Sequence, residues 1–201
     1  ISAGSTTGTV SFTPTNDSLY DAASDETATI AISGVSGGSA SESGSQSVTI
    51  TITDDDSAPT VTLAASSTSI AENSSSTITL TATLSNATYQ DVTVSIGTSG
   101  TATEGTDYGN ISDITISAGS TTGTATFDPT DDSDETDTVT ATIAISGVSG
   151  GGATESGSQS VTISILDDES VPRVTLTVSA TSIAENAGTS LTLTATLSKT
   201  A

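Results

Sequence analysis

Carboxylates are the side chains of this sequence with the most chemistry to offer. Asp and Glu total 24, Lys and Arg total 2, and His and Cys are absent, so the formal charge is −22. Without Cys or His there is no disulfide framework, no zinc site of the usual ligands, no thiol nucleophile and no imidazole base. The acids are not spread evenly. Between residues 58 and 170 most of them stand at Glu72, at Glu104 and Asp107, across Asp128, Asp131, Asp132, Asp134, Glu135 and Asp137, and at Asp167, Asp168 and Glu169, with Asp91, Asp113 and Glu155 apart. Oxygen ligands in several short clusters suit Ca²⁺, which accepts six to eight oxygens in flexible geometry. Mg²⁺ fits less well, because it prefers a rigid octahedron and retains its waters. The spacing follows neither the EF-hand nor the nonapeptide β-roll pattern. Paired carboxylates can also hydrolyse glycosides. The chain has no Trp and few aromatic residues to shape a sugar cleft, so it reads as a non-enzyme.

The elements that must position these acids are strands. Thr77-Ile-Thr-Leu-Thr-Ala-Thr-Leu84 alternates without a break. Shorter runs such as Thr60-Val-Thr-Leu63, Val92-Thr-Val-Ser-Ile96 and Val161-Thr-Ile-Ser-Ile165 do the same. Period two, with Val and Ile on one face and Thr on the other, is the pattern of a half-buried strand. Thr suits the wet face because it is β-branched as well as polar. This periodicity overrides the high charge and low aromatic content that would otherwise suggest disorder. No helical period is present, and the fold class is all-β.

The sequence also repeats. Ile1-Ser-Ala-Gly-Ser-Thr-Thr-Gly-Thr9 recurs from Ile116 to Thr124, an offset of 115 residues. Ala31-Ile-Ser-Gly-Val-Ser-Gly37 recurs from Ala144 to Gly150, an offset of 113, so two residues differ near Tyr20. Glu42 to Val48 recurs from Glu155, and Ser69-Ile-Ala-Glu-Asn73 recurs from Ser182. A period this long is a whole domain and not a solenoid turn. Residues 1–57 read as the C-terminal part of one repeat, 58–170 as a complete repeat, and 171–201 as the opening of a third. The chain is then a window of a longer tandem array. Seven strands are expected in the complete repeat: about 60–66 (running on to 70), 77–84, 91–96, 111–117, 122–127, 138–146 and 159–166. That number in about 110 residues predicts a seven-stranded antiparallel β-sandwich, repeated in tandem.

If successive strands alternate in direction, the first, third, fifth and seventh end at one pole. The loops there carry Glu72, Glu104, Asp107, the run from Asp128 to Asp137, and Asp167 to Glu169. The opposite pole carries only Asp91 and Glu155 by this reading. Acids crowded on one pole repel one another and raise their own pKa values unless a cation joins them.

Four segments in this order resemble a Calx-β domain: Ser69-Ile-Ala-Glu72-Asn73, Gly100-Thr-Ala-Thr-Glu-Gly-Thr-Asp107-Tyr108, the acidic Asp131-Asp-Ser-Asp-Glu135, and Ile165-Leu-Asp-Asp-Glu169. That family includes the calcium-sensing domains of sodium–calcium exchangers and repeats of large bacterial surface proteins. The resemblance implies calcium ligands at Glu72, Asp107, Asp131, Asp132, Glu135, Asp167 and Asp168, with Asp137 and Glu169 as further candidates. In the first, partial repeat it implies Asp17, Asp25 or Glu26, Asp54 and Asp55, since Asn16 stands where one aspartate would be. The segment before the sixth strand departs from the family pattern, with Val139 in the place of an aromatic residue. The choice among Asp134, Glu135 and Asp137 therefore stays open.

These features predict an extracellular or cell-surface structural or adhesive array, stiffened by Ca²⁺ at the joints between repeats. The alternative is a subunit of a laterally assembling filament or sheath that depends little on calcium. The expected partners are calcium ions, neighbouring repeats, and either other copies in a fibre or a cell-surface ligand. The negative charge disfavours nucleic acid and anionic lipid. No apolar run approaches the roughly 18 residues of a membrane helix.

Overall fold

The computed structural model describes residues 1–21, 25–133, 137–186 and 188–199. Its elements are strands throughout, with no helix among the described residues. The first segment contributes β1 (Leu19–Tyr20), β2 (Glu26–Ala31) and β3 (Ser47–Ile52). The central segment contributes β4 (Thr60–Ala65), β5 (Ser69–Ala71), β6 (Ile78–Leu84), β7 (Ala87–Thr88), β8 (Val92–Gly100) and β9 (Ile114–Ile116). It continues with β10 (Thr122–Phe127), β11 (Val139–Ser149), β12 (Thr154–Glu155) and β13 (Ser160–Leu166). The last segment holds β14 (Val174–Val178) and β15 (Leu193–Leu197).

The central strands form two sheets, in the orders β10-β6-β4-β12 and β5-β13-β11-β8-β9. Alternation decides what lies between them. In β6, Ile78, Leu80, Ala82 and Leu84 are buried while Thr79 and Thr83 face water. Val61 and Leu63 of β4, Val92 and Val94 of β8, Ile143 of β11 and Ile163 of β13 complete the inner faces. At one end of this core Tyr108 stacks on Phe127, with ring centroids 4.8 Å apart and planes 23° from parallel. Tyr108 is 1% exposed, so a loop residue supplies one of the two largest core side chains.

All seven expected strands are present, with differences at four of them; the fourth is confined to Ile114–Ile116. The first strand does not run straight on. It breaks after Ala65, where the Ser67 hydroxyl donates to the Ser69 carbonyl (2.8 Å), and resumes as β5 in the other sheet. There β5 pairs parallel to β13, as the short β12 pairs parallel to β4; the remaining pairings within the sandwich are antiparallel. The third and sixth strands run on to Gly100 and Ser149, because β8 and β11 stay paired on both sides of a bulge between Ile145 and Gly147.

The flanking segments reproduce the same registers. Glu26↔Ile52 to Ala31↔Ser47 in β2–β3 matches Val139↔Ile165 to Ala144↔Ser160 in β11–β13, position by position at the offset of 113. Val174↔Leu197 to Val178↔Leu193 in β14–β15 matches Val61↔Leu84 to Ala65↔Leu80 in β4–β6. The first segment touches the sandwich where β1 pairs parallel to β7.

Removing Phe127 leaves a cavity beneath Tyr108. Phe127→Ala is expected to cost about 3–5 kcal/mol of stability, typical of a fully buried aromatic residue, as measured by urea unfolding of the central transition.

Candidate metal centre

β5 carries Glu72 to the end of β13. Its last residue, Ala71, pairs with Leu166, and the Glu72 amide donates to the Leu166 carbonyl (3.0 Å). Glu72 therefore lies beside Asp167, Asp168 and Glu169, which follow β13 directly. The loop between β10 and β11 brings Asp131 to the same place. One carboxylate oxygen from each of Glu72, Asp131, Asp168 and Glu169 lies within 4.8 Å of the others. Asn73 donates to Asp168 across the group (2.5 Å).

Glu72 is the buried member, at 8% exposure. Its Oε1 is buried and has no hydrogen-bond partner, and the same holds for Oδ1 of Asp167 and Oε2 of Glu169. An unpartnered buried carboxylate oxygen is costly. Burial pushes the Glu72 carboxyl up to about 8, reinforced by a hydrogen bond with Glu169 and by the charges of Asp132, Asp167 and Glu169. The chain's only two basic side chains are Arg173 and Lys199. Three unsatisfied buried oxygens among like charges fit a hard cation with oxygen ligands, and they fit Ca²⁺ better than a group that needs nitrogen or sulfur.

The loop from β8 to β9 plays a different part. Gly100 opens it at φ +121°, and a Cβ there would run into the Thr140 carbonyl oxygen. That carbonyl accepts the amides of both Thr101 and Ala102 (2.9 Å each). Asp107 accepts the Thr103 amide (2.5 Å), and its own carbonyl accepts the Thr130 amide (3.0 Å). Asp107 thus ties its loop to the β10–β11 loop, but it does not join the four-carboxylate group. Glu104 is also engaged, accepting from Ile111 (2.8 Å) and Thr98 (2.9 Å).

Of the residues implied from sequence, the structure gathers Glu72, Asp131 and Asp168. It places Asp132 and Asp167 close enough to act electrostatically on Glu72 and leaves Asp107 in the adjoining loop. Glu169, a further candidate in the sequence, is a full member of the group. Asp137 is exposed. Glu135 and Asp134 lie outside the described residues.

A second acidic group sits on the first segment. Asp54, Asp55 and Asp56 bring one oxygen each within 4.8 Å of one another. They line a cleft with Asp17, Asp21, Glu26 and Tyr89. Glu26, and not Asp25, faces that cleft. Burial pushes the Asp56 carboxyl up, with the charges of Asp54, Asp55 and Asp17 adding to it. Asp56 is not among the ligands that the resemblance implies. The signal was present, since Asp56 and Glu169 occupy the same repeat position.

No family model matches the sequence, and no curated protein matches it. Among solved structures the chain is similar to the apo form of a Calx CBD1 domain. The TM-score is 0.46 and the identity 19%, over 55% of this chain and 99% of that one.

The buried Glu72 makes the metal-free protein pH-sensitive. Its carboxyl titrates near 4.5 in the unfolded chain and near 8 when folded. The folded state therefore binds more protons between those values, and the contribution of Glu72 to stability, complete below about pH 4.5, is lost as pH rises through 8. In chelator, the Tm of Glu72→Gln relative to the native chain is expected to climb between pH 5 and 8 and level off above. A flat difference would mean that Glu72 is solvated.

Proposed function

We propose that this chain is part of a calcium-binding array of β-sandwich repeats that serves as a structural or adhesive spacer at the cell surface, without enzymatic activity. The observation that carries the calcium reading is the carboxylate of Glu72, buried, lacking a partner at Oε1, and facing Asp131, Asp168 and Glu169. Such a group is poorly stable by itself and becomes favourable when a divalent cation occupies it. The four sequence segments that resemble a Calx-β domain support the same reading. Asp132 and Asp167 complete the proposed ligand shell of the central repeat, with Asp107 holding the neighbouring loop. Asp17, Asp54 and Asp55 are the corresponding residues of the preceding repeat.

The array reading is supported by the sequence offset and by the matching strand registers of the flanking segments. The extracellular reading rests on composition. Ser and Thr make up 80 of 201 residues, with 2 basic side chains and no Cys. A strongly acidic, hydroxyl-rich surface remains soluble and repels its own kind. The residues after β13, from Asp167 to Pro172, carry proposed ligands and also lead into the next strand. Pro172 fixes its own φ and keeps Val171 extended. Calcium bound there acts on a joint as well as on a domain.

Calcium at 100 times its Kd is expected to add about 2.7 kcal/mol to the folded state, read as a rise in Tm over chelator. An unchanged Tm would remove the calcium reading.

Isothermal titration should then separate site from surface charge. Asp168→Ala is expected to weaken calcium binding by roughly tenfold or more, since even loss of a residue that only supports a ligand costs about 10–100-fold. Glu155→Gln, at the opposite pole where Glu155 accepts the Gln159 amide, should leave it unchanged. Equal losses would indicate a diffuse charge effect.

A further inference from the structure

The two residues by which the first repeat exceeds the second are Leu19 and Tyr20. Thr15-Asn-Asp-Ser-Leu-Tyr-Asp21 stands where the central repeat has Thr130-Asp-Asp-Ser-Asp134. These extra residues are β1, and they make the contact with the sandwich. Leu19 pairs with Ala87 and Tyr20 with Thr88. The Tyr89 amide donates to the Tyr20 carbonyl (3.3 Å). The Tyr89 hydroxyl donates to Oδ2 of Asp17 (2.9 Å), whose Oδ1 accepts the Leu19 amide (2.9 Å). On the other side, the Asp21 amide donates to Asp54 (3.0 Å). Leu19, Tyr20 and Asp21 are half-buried, whereas the described residues before them are exposed.

The sandwich half of this contact is anchored. Thr88 is 1% exposed. Its carbonyl accepts the Gly119 amide (2.8 Å) and its hydroxyl donates to the Gln90 carbonyl (2.5 Å). Asn86 donates to the Ser57 carbonyl (2.9 Å) in the linker. β7 is therefore held by the sandwich core, and β1 docks on a fixed edge.

We propose that Leu19–Tyr20 and Ala87–Tyr89 form a latch between successive repeats that fixes their joint without a bound cation. The proposal takes from the array reading only that the two sides are successive repeats. The joint is held by backbone pairing and the Tyr89 hydroxyl, through two residues that the central repeat lacks at the corresponding place in its sequence.

The chain has no native Cys, so spin labels at Thr51→Cys and Ser99→Cys report the joint alone. Both positions are exposed strand residues, one on each side. In EGTA, double electron–electron resonance is expected to give one narrow distance peak that calcium leaves unchanged. Deleting Leu19 and Tyr20 should spread it by on the order of 10 Å, the excursion of a flexible six-residue linker. Tyr89→Ala should broaden it less. Tyr89→Phe, which loses one hydrogen bond and no packing, should broaden it least. A native peak that is broad in EGTA and narrows only with calcium overturns the latch. So does a deletion that leaves the width unchanged. If the deletion disturbs folding, Tyr89→Ala decides, and an unchanged width there overturns the proposal. Because the deciding measurements are made in chelator, absence of calcium binding would defeat the preceding reading and leave this one standing.

Discussion

The crossing of the first strand from one sheet to the other is the constraint on which the site depends. β4 fills the centre of the four-stranded sheet, and after a three-residue break the same chain becomes the edge of the five-stranded one. Parallel pairing with β13 then sets Ala71 against Leu166. A straight first strand would leave Glu72 at the end of the other sheet, away from Asp167 to Glu169. The Ser66–Thr68 break suits this role, because short hydroxyl side chains close local hydrogen bonds that compete with the ladder.

Given that crossing, the site stores electrostatic tension. Hydrophobic packing of the sandwich, with Tyr108 on Phe127 beneath the loops, holds carboxylates closer than their charges favour. Asp107 and Glu104 are spent on loop amides and hydroxyls, which fixes the walls of the site. Glu72 is left with an unpartnered oxygen, and uptake of a proton relieves its charge. Folding energy thus gathers carboxylates that the separate loops would not bring together.

Much of this was legible in the sequence. Alternation of Val, Ile and Leu with Thr located the seven main strands, because one dry and one wet face require period two, whereas the two-residue β12 is too short to show a period and β5 read as a continuation of the first strand. Chain direction put the acidic loops at one pole. The parts that were not legible depend on tertiary contact. Nothing local shows that Tyr108 turns inward, since a tyrosine after an aspartate in a loop is as often solvated. Asp107 carries the same charge as Asp168, yet backbone amides claim one and not the other. Glu169 and Asp56 share a repeat position, and only the packing at the end of β13 shows that the third acid of the run joins Glu72, Asp131 and Asp168. The strand made by Leu19 and Tyr20 was visible only as an irregularity in the repeat length.

The sandwich is entered at Thr60 and left at Leu166, at opposite ends. Tension carried along the proposed array would therefore pull β4 and β13 lengthwise in opposite directions. Each is bonded on both sides, β4 to β6 and β12 and β13 to β11 and β5. The ladder bonds lie across the pull and are loaded in shear, so they must fail together. A terminal strand peeled from a sheet edge would lose its bonds one at a time. Resistance to pulling is governed by the height of the unfolding barrier. In the proposed array the parallel seam between β5 and β13 would act as a mechanical clamp, and it is the same seam that seats Glu72.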